Sequence, residues 1–127
     1  MKRMRFAAAV LLLLLLAGSG CRKAGTYDIR GEWSFSSSSE ELFVFLFVGL
    51  PEQGTLVEAD HPADGAGEYA VDGDEVDFEF ISTLTGGRSC HFSGSFSADD
   101  RMAGTMEIVA PYPPFAWTVE VEGQRLF

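Results

Sequence analysis

The chain has 127 residues, of which 46% are hydrophobic, and it carries 9 Lys or Arg residues against 19 Asp or Glu residues. This length predicts a single domain with one hydrophobic core. The net charge of −10 argues against a nucleic-acid-binding protein and against attachment to anionic lipid headgroups through surface charge, because an acidic surface repels phosphate groups.

The first part of the chain, residues 1–20, predicts a secretory signal peptide. A cationic start is followed by an apolar run from Phe6 to Ala17 and then by small residues that precede Cys21. The apolar run is too short to cross a bilayer, which takes about 20 apolar residues in a helix. Cleavage would remove three basic residues and no acidic one, so residues 21–127 would carry a charge of 6 − 19 = −13.

The stretch Gly18-Ser19-Gly20-Cys21 resembles the lipobox of bacterial lipoproteins, in which the cysteine thiol receives a diacylglyceryl group and the chain is cleaved just before it. The sequence departs from the lipobox at Gly18, where that family usually has Leu. The resemblance implies a palmitate-bearing lipoprotein of the bacterial cell envelope, anchored to a membrane on its periplasmic or surface face, with residues 21–28 as the tether. The alternative is ordinary signal peptidase cleavage, which Gly18 and Gly20 also permit; Cys21 would then be free to form a disulfide with Cys90, the only other cysteine.

Beyond the tether, apolar and polar residues alternate with a period of two, which predicts strands rather than helices. Turn residues such as Asp72-Gly73 and Ala98–Arg101 join neighbouring runs as hairpins, which makes the neighbours antiparallel. The sequence therefore predicts an all-β domain over residues 29–127, an antiparallel up-and-down barrel of about eight strands that leaves no open sheet edge. A two-sheet β-sandwich is the alternative. The predicted strands are Gly31–Phe35, Leu42–Val48, Thr55–Ala59, Tyr69–Val71, Glu75–Phe80, Arg88–Ser97, Met102–Ile108 and Phe115–Glu122.

Gly31-Glu32-Trp33 in the first strand and Arg125 just after the last resemble the signature of the lipocalin-like, or calycin, barrels. In that family the tryptophan closes one end of the barrel and an arginine packs across its ring. A guanidinium stacked on an indole contributes about 1 kcal/mol. The resemblance implies the lipocalin-like fold for this chain, with Gly31, Trp33 and Arg125 as structural residues, and a small apolar ligand as the family's usual cargo.

An eight-stranded barrel is just wide enough to be filled by side chains or to enclose one small molecule. The aromatic residues that alternation assigns to the interior are therefore candidates both for a packed core and for the lining of a ligand cavity. These candidates are Phe35, Tyr69, Phe78, Phe80, Phe92, Phe96 and Trp117, with Trp33 and Phe115 beside them.

The predicted strand Leu42–Val48 is apolar on both of its faces. One face can enter the core, and the other needs a cover from the tether or a loop, or else forms a docking surface. The candidates for a partner-binding face are Phe43, Phe45 and Phe47; the alternative is the other face, with Leu42, Val44 and Leu46.

No pattern in the chain predicts a catalytic residue, a metal site or a cofactor. A calcium loop that began at Asp72 would need an acidic residue at position 83, which is Thr83. Cys90 and His91 are adjacent on one strand and therefore point to opposite faces of the sheet, so they cannot act as nucleophile and base.

These observations predict an exported, lipid-anchored, non-catalytic binding protein with a small apolar ligand in or at the barrel. The alternative is a protein-binding module, such as an inhibitor of an envelope enzyme, that uses the apolar strand at residues 42–48. No nucleic-acid partner is expected.

Overall fold

The computed structural model describes residues 27–111 and 114–127. They form a closed barrel in which each strand pairs antiparallel with the next in sequence and the last pairs with the first. The predicted all-β up-and-down barrel is thus confirmed, and the sandwich alternative is excluded. The strands are β1 (Gly31–Ser37), β2 (Glu40–Gly49), β3 (Gln53–Glu58), β4 (Gly65–Asp72), β5 (Glu75–Ser82), β6 (Ser89–Ala98), β7 (Arg101–Pro111) and β8 (Pro114–Arg125).

The N-terminal features predicted from the sequence, the signal peptide and lipidation of Cys21, lie outside the described residues and stay predictions. Within the described ranges, no helix is long and apolar enough to pass through a membrane.

Tight turns join the strands where the sequence placed turn residues. In the β4–β5 turn Asp72 pairs with Glu75, and Gly73 has a φ of 66°, a left-handed conformation that glycine adopts without steric cost. In the β6–β7 turn Ala98 pairs with Arg101. Both turns confirm the hairpins predicted at these positions.

One end of the barrel, called here the closed end, is sealed by Trp33 and Arg125. Trp33 is fully buried, and its indole N–H donates a hydrogen bond to the carbonyl of Ile29 at 2.7 Å. The guanidinium carbon of Arg125 lies 4.7 Å from the centroid of the Trp33 ring, so the stacking expected of this pair is present. The same guanidinium donates to the carbonyls of Arg30 at 2.7 Å, of Asp99 at 3.1 Å and of Asp28.

Gly31 allows the chain terminus to pack closely at this end. Its φ is 120°, and a Cβ atom at this position would lie 2.5 Å from the carbonyl oxygen of Phe127. Any larger residue would therefore push the terminus away from the closed end.

The centre of the barrel is filled with phenylalanine rings. Phe35 on β1 and Phe78 on β5 come from opposite walls, yet their ring centroids are 5.2 Å apart. Phe92 stacks on Phe78 at 5.0 Å and lies 5.4 Å from Phe35. Among the described residues no polar or charged side chain is buried, so this core is held together by apolar burial and aromatic contacts.

Arg125→Lys should lower the free energy of unfolding by about 2 kcal/mol, because lysine keeps the charge but cannot bond several carbonyls in one plane while stacking on the indole. The urea midpoint of the purified barrel measures this loss. Arg101→Lys is the matched control, since Arg101 is exposed, and it should change stability by less than about 0.5 kcal/mol. Equal midpoints for the two variants would contradict this role of Arg125.

Candidate functional site: the open end of the barrel

The opposite end of the barrel, called here the open end, carries the β1–β2, β3–β4, β5–β6 and β7–β8 connections. Phe115 and Trp117 on β8 lie there, with ring centroids 5.0 Å apart and planes inclined by 22°. Phe115 is 52% exposed, whereas Trp117 is partly buried against the core. Both rings were predicted to lie in the interior. Trp117 lies at the margin of the core, and Phe115 lies outside it, so the prediction is wrong for Phe115.

This end of the β7–β8 hairpin is uncharged in a strongly acidic domain. The sequence from Ile108 to Val119 contains no charged residue, while residues 27–127 hold four arginines and all 19 acidic residues, which gives 4 − 19 = −15. On the outer face Val109 is 43% exposed and pairs with the exposed Ala116. The open end thus presents an apolar surface on both faces of one hairpin.

β8 has an unpaired edge at the open end. It pairs with β7 from Pro114 to Gln124 but with β1 only from Glu122 to Arg125. From Pro114 to Val121, no strand of the described chain pairs with its other side; this segment is called the free edge. It exists because β1 ends at Ser37 and the chain turns back, while β8 continues.

The hydrogen bonds at the far end of β8 identify the backbone groups along the free edge. The N–H of Arg125 donates to the carbonyl of Asp100 beside β7, at 3.0 Å, and the N–H of Leu126 donates to Glu32 of β1, at 2.7 Å. Since backbone groups alternate between the two sides of a strand, and the β7–β8 register has no shift, even-numbered residues face away from β7. The N–H and C=O groups of Ala116, Thr118 and Glu120 therefore lie along the free edge.

A surface depression of about 820 Å³ lies where the free edge meets β1. Its lining includes the hydroxyl-bearing residues Ser36 and Ser38, the carboxylates of Glu120 and Glu122, and one cation, Arg101. Carboxylates outnumber cations here, so the depression favours a cationic group over an anionic one.

The three partner-face candidates on β2 lie in the interior. Phe43, Phe45 and Phe47 are 3%, 0% and 1% exposed, so the prediction that they form a docking surface is wrong. Alternation made both faces of β2 apolar and could not choose which one enters the core. The outer face carries Leu46, which is 37% exposed, and Val48, which is 53% exposed.

Arg88, which sequence reasoning did not single out, covers one of these rings at the open end. Its guanidinium carbon lies 4.9 Å from the centroid of Phe43, and it donates to the carbonyl of Leu42 at 3.1 Å. Two features of the sequence could have marked Arg88 as a residue of this end: it directly precedes β6, and it is one of only four basic residues in 27–127.

The remaining ligand-lining candidates are buried in the barrel. The hydroxyl of Tyr69 donates to the carbonyl of Leu50 at 2.6 Å, and burial raises its pKa to about 12. The ring of Phe96 stacks under Tyr27 at 4.7 Å, near the closed end. Phe35, Tyr69, Phe78, Phe80, Phe92 and Phe96 are all at most 5% exposed.

Cys90 and His91 lie on opposite faces of β6, as alternation predicts. Cys90 is 3% exposed, and burial raises the pKa of its thiol, which keeps it protonated. His91 lies outside the barrel, with its Nε2 2.9 Å from a carboxylate oxygen of Asp77. In the part of the chain that the structure describes, no three His, Cys, Asp or Glu side chains are grouped to hold a metal ion.

No protein-family model matches this chain. A search among curated proteins finds no significant relative.

Proposed function

We propose that this protein is an exported, lipid-anchored, non-catalytic binding protein of the bacterial cell envelope, and that it binds an apolar ligand at the open end of its barrel. The observation that carries the proposal is the stacked pair of Phe115 and Trp117, of which Phe115 is half exposed at the rim of the core. A large aromatic ring exposed beside a second ring is typical of a surface that contacts another apolar group.

The barrel interior is filled by aromatic side chains, so a ligand does not fit inside it. The rings of Phe35 and Phe78 from opposite walls contact each other, and Phe45 adds a third ring 5.6 Å from Phe78. An eight-stranded barrel is either filled in this way or hollow enough for one ligand. A ligand would therefore bind at the open end and contact the exposed side of the Phe115–Trp117 pair.

The tether favours one orientation of the barrel on a membrane. Tyr27 stacks against Phe96 near the closed end, and it follows Cys21 by six residues. Six residues span at most about 20 Å when fully extended. A lipid on Cys21 would hold the closed end toward the membrane, and the open end would face away from it, toward ligands that arrive from solution.

A second candidate function, a protein-binding module, is favoured by the free edge of β8. An unpaired strand edge offers backbone hydrogen bonds to another chain. The apolar residues Leu46 and Val48 on the outside of β2 have no comparable row of unpaired backbone groups beside them, because Leu46 pairs with both β1 and β3 and Val48, one residue beyond the last β1 pair, pairs with Thr55 of β3.

A neutral, apolar fluorescent probe should bind saturably and quench Trp117 at the open end. Phe115→Ser should weaken its binding about tenfold, because it removes the exposed half of the ring pair, and should leave the unfolding midpoint nearly unchanged. Phe127→Ser, which removes an 83% exposed ring at the closed end, is the control and should bind the probe normally. In a Trp117→Phe variant, the probe should not quench the fluorescence of the remaining Trp33. Quenching of Trp33, or wild-type affinity of Phe115→Ser for the probe, would contradict a ligand site at the open end.

The intact mass of the full-length protein recovered from bacterial membranes tests the anchor. The expected mass corresponds to a chain that begins at Cys21 and carries an acyl-glyceryl adduct. A Cys21→Ser variant should lose the adduct and leave the membrane fraction. An unmodified wild-type chain in the soluble fraction would refute lipidation.

A further inference from the structure

We propose that the free edge of β8 accepts an extended segment of another polypeptide as an added strand, and that this segment alternates cationic and apolar side chains. This inference goes beyond the apolar ligand proposed above, since it rests on the backbone of β8 and on the charges beside it. It also identifies the chemistry of the protein partner.

The first requirement for strand addition is a row of unpaired backbone groups. The N–H and C=O groups of Ala116, Thr118 and Glu120 face away from β7, and no described strand pairs with them. Each such residue offers one donor and one acceptor, so this short stretch can form a ladder with an incoming strand. Lower on the same side of β8, β1 already pairs in this way with Gln124 and its neighbours.

The side chains on the outer face select for positive charge. Glu120 and Glu122 project outward from β8 and line the depression at the lower end of the free edge. Residues directly opposite each other on paired strands have Cβ atoms about 5 Å apart, and opposite charges across a pair are stabilising. Glu122 already pairs with Ser36 of β1, so a lysine or arginine on the outer face of the added strand would lie directly opposite Glu120, with Glu122 as its diagonal neighbour.

The side chains on the inner face select for apolar residues. Trp117 and Val119 are partly buried against the core, and Phe115 beside them is 52% exposed. The inward side chains of an added strand would cover these three residues and extend the core over the open end. Because successive side chains of a strand point to opposite faces, the preferred segment alternates apolar and cationic residues.

A second copy of this chain fits the free edge poorly. Residues 27–127 carry a charge of 4 − 19 = −15, so two domains paired through β8 would repel each other. A segment of net positive charge would be attracted to this acidic domain rather than repelled by it.

The test uses the full chain in detergent micelles and three synthetic peptides of equal length, measured by calorimetry at low ionic strength. The first peptide alternates Val and Lys, the second alternates Val and Glu, and the third repeats the Val-Lys sequence with methylated backbone nitrogens. The Val-Lys peptide should bind saturably and lose affinity as salt rises. The Val-Glu peptide should not bind, and the methylated peptide should bind about tenfold more weakly, because its donors are blocked.

A substitution in the protein gives an independent result. Thr118→Pro removes one N–H donor from the free edge without removing a hydrogen bond to β7. It should lower the affinity for the Val-Lys peptide about tenfold. Thr118→Val keeps the donor and should bind as wild type. The methylated peptide keeps the test valid if Thr118→Pro does not fold.

Three results would overturn the proposal: equal affinity for the methylated and unmethylated peptides, wild-type affinity in a folded Thr118→Pro variant, or a dimer in sedimentation that Thr118→Pro dissociates. The last result would assign the edge to a second copy. Binding of the neutral apolar probe by Thr118→Pro separates this proposal from the proposed function, because the probe needs Phe115 and not the backbone of residue 118.

Discussion

The contact between Phe35 and Phe78 determines what this barrel can do. These rings come from opposite walls and meet 5.2 Å apart at the barrel centre, and Phe92 packs against both of them. A barrel of this strand number can enclose a ligand only when its inward side chains are small or sparse. Here the inward side chains are large aromatic rings, so the interior supplies stability, and a ligand would have to bind at the surface or at one of the two ends.

The two ends differ because the first and last strands differ in length. At the closed end, β1 and β8 pair, and Arg125 joins them by stacking on Trp33 and bonding nearby carbonyls. At the open end, β1 has already turned back, while β8 continues for eight residues, Pro114–Val121, that pair with β7 on one side and with no described strand on the other. Exposed aromatic surface and unpaired backbone therefore occur together, and this coincidence makes the open end the candidate site.

Much of the fold could be predicted from the sequence, because alternation is a local property. The runs Glu75–Phe80 and Arg88–Ser97 predicted both the strands and their inward residues. The packing of Arg125 on Trp33 at one end followed from the resemblance to lipocalin-like barrels and not from alternation. The free edge could not be predicted, since it depends on the register between β1 and β8, which lie about ninety residues apart in the chain. The prediction that Phe43, Phe45 and Phe47 form an exposed face failed for another reason. Because β2 is apolar on both faces, alternation could not tell which face enters the core.

Amide hydrogen exchange along β8, resolved residue by residue by NMR, tests most directly whether this edge is free. Backbone groups that bond β7 exchange only when the barrel opens, whereas groups that face solvent exchange without opening. The structure predicts slow exchange at Trp117, Val119 and Val121 and fast exchange at Ala116, Thr118 and Glu120. Uniformly slow exchange across all six amides would show that another strand covers this edge, and would contradict the assignment of the open end as an unoccupied binding site.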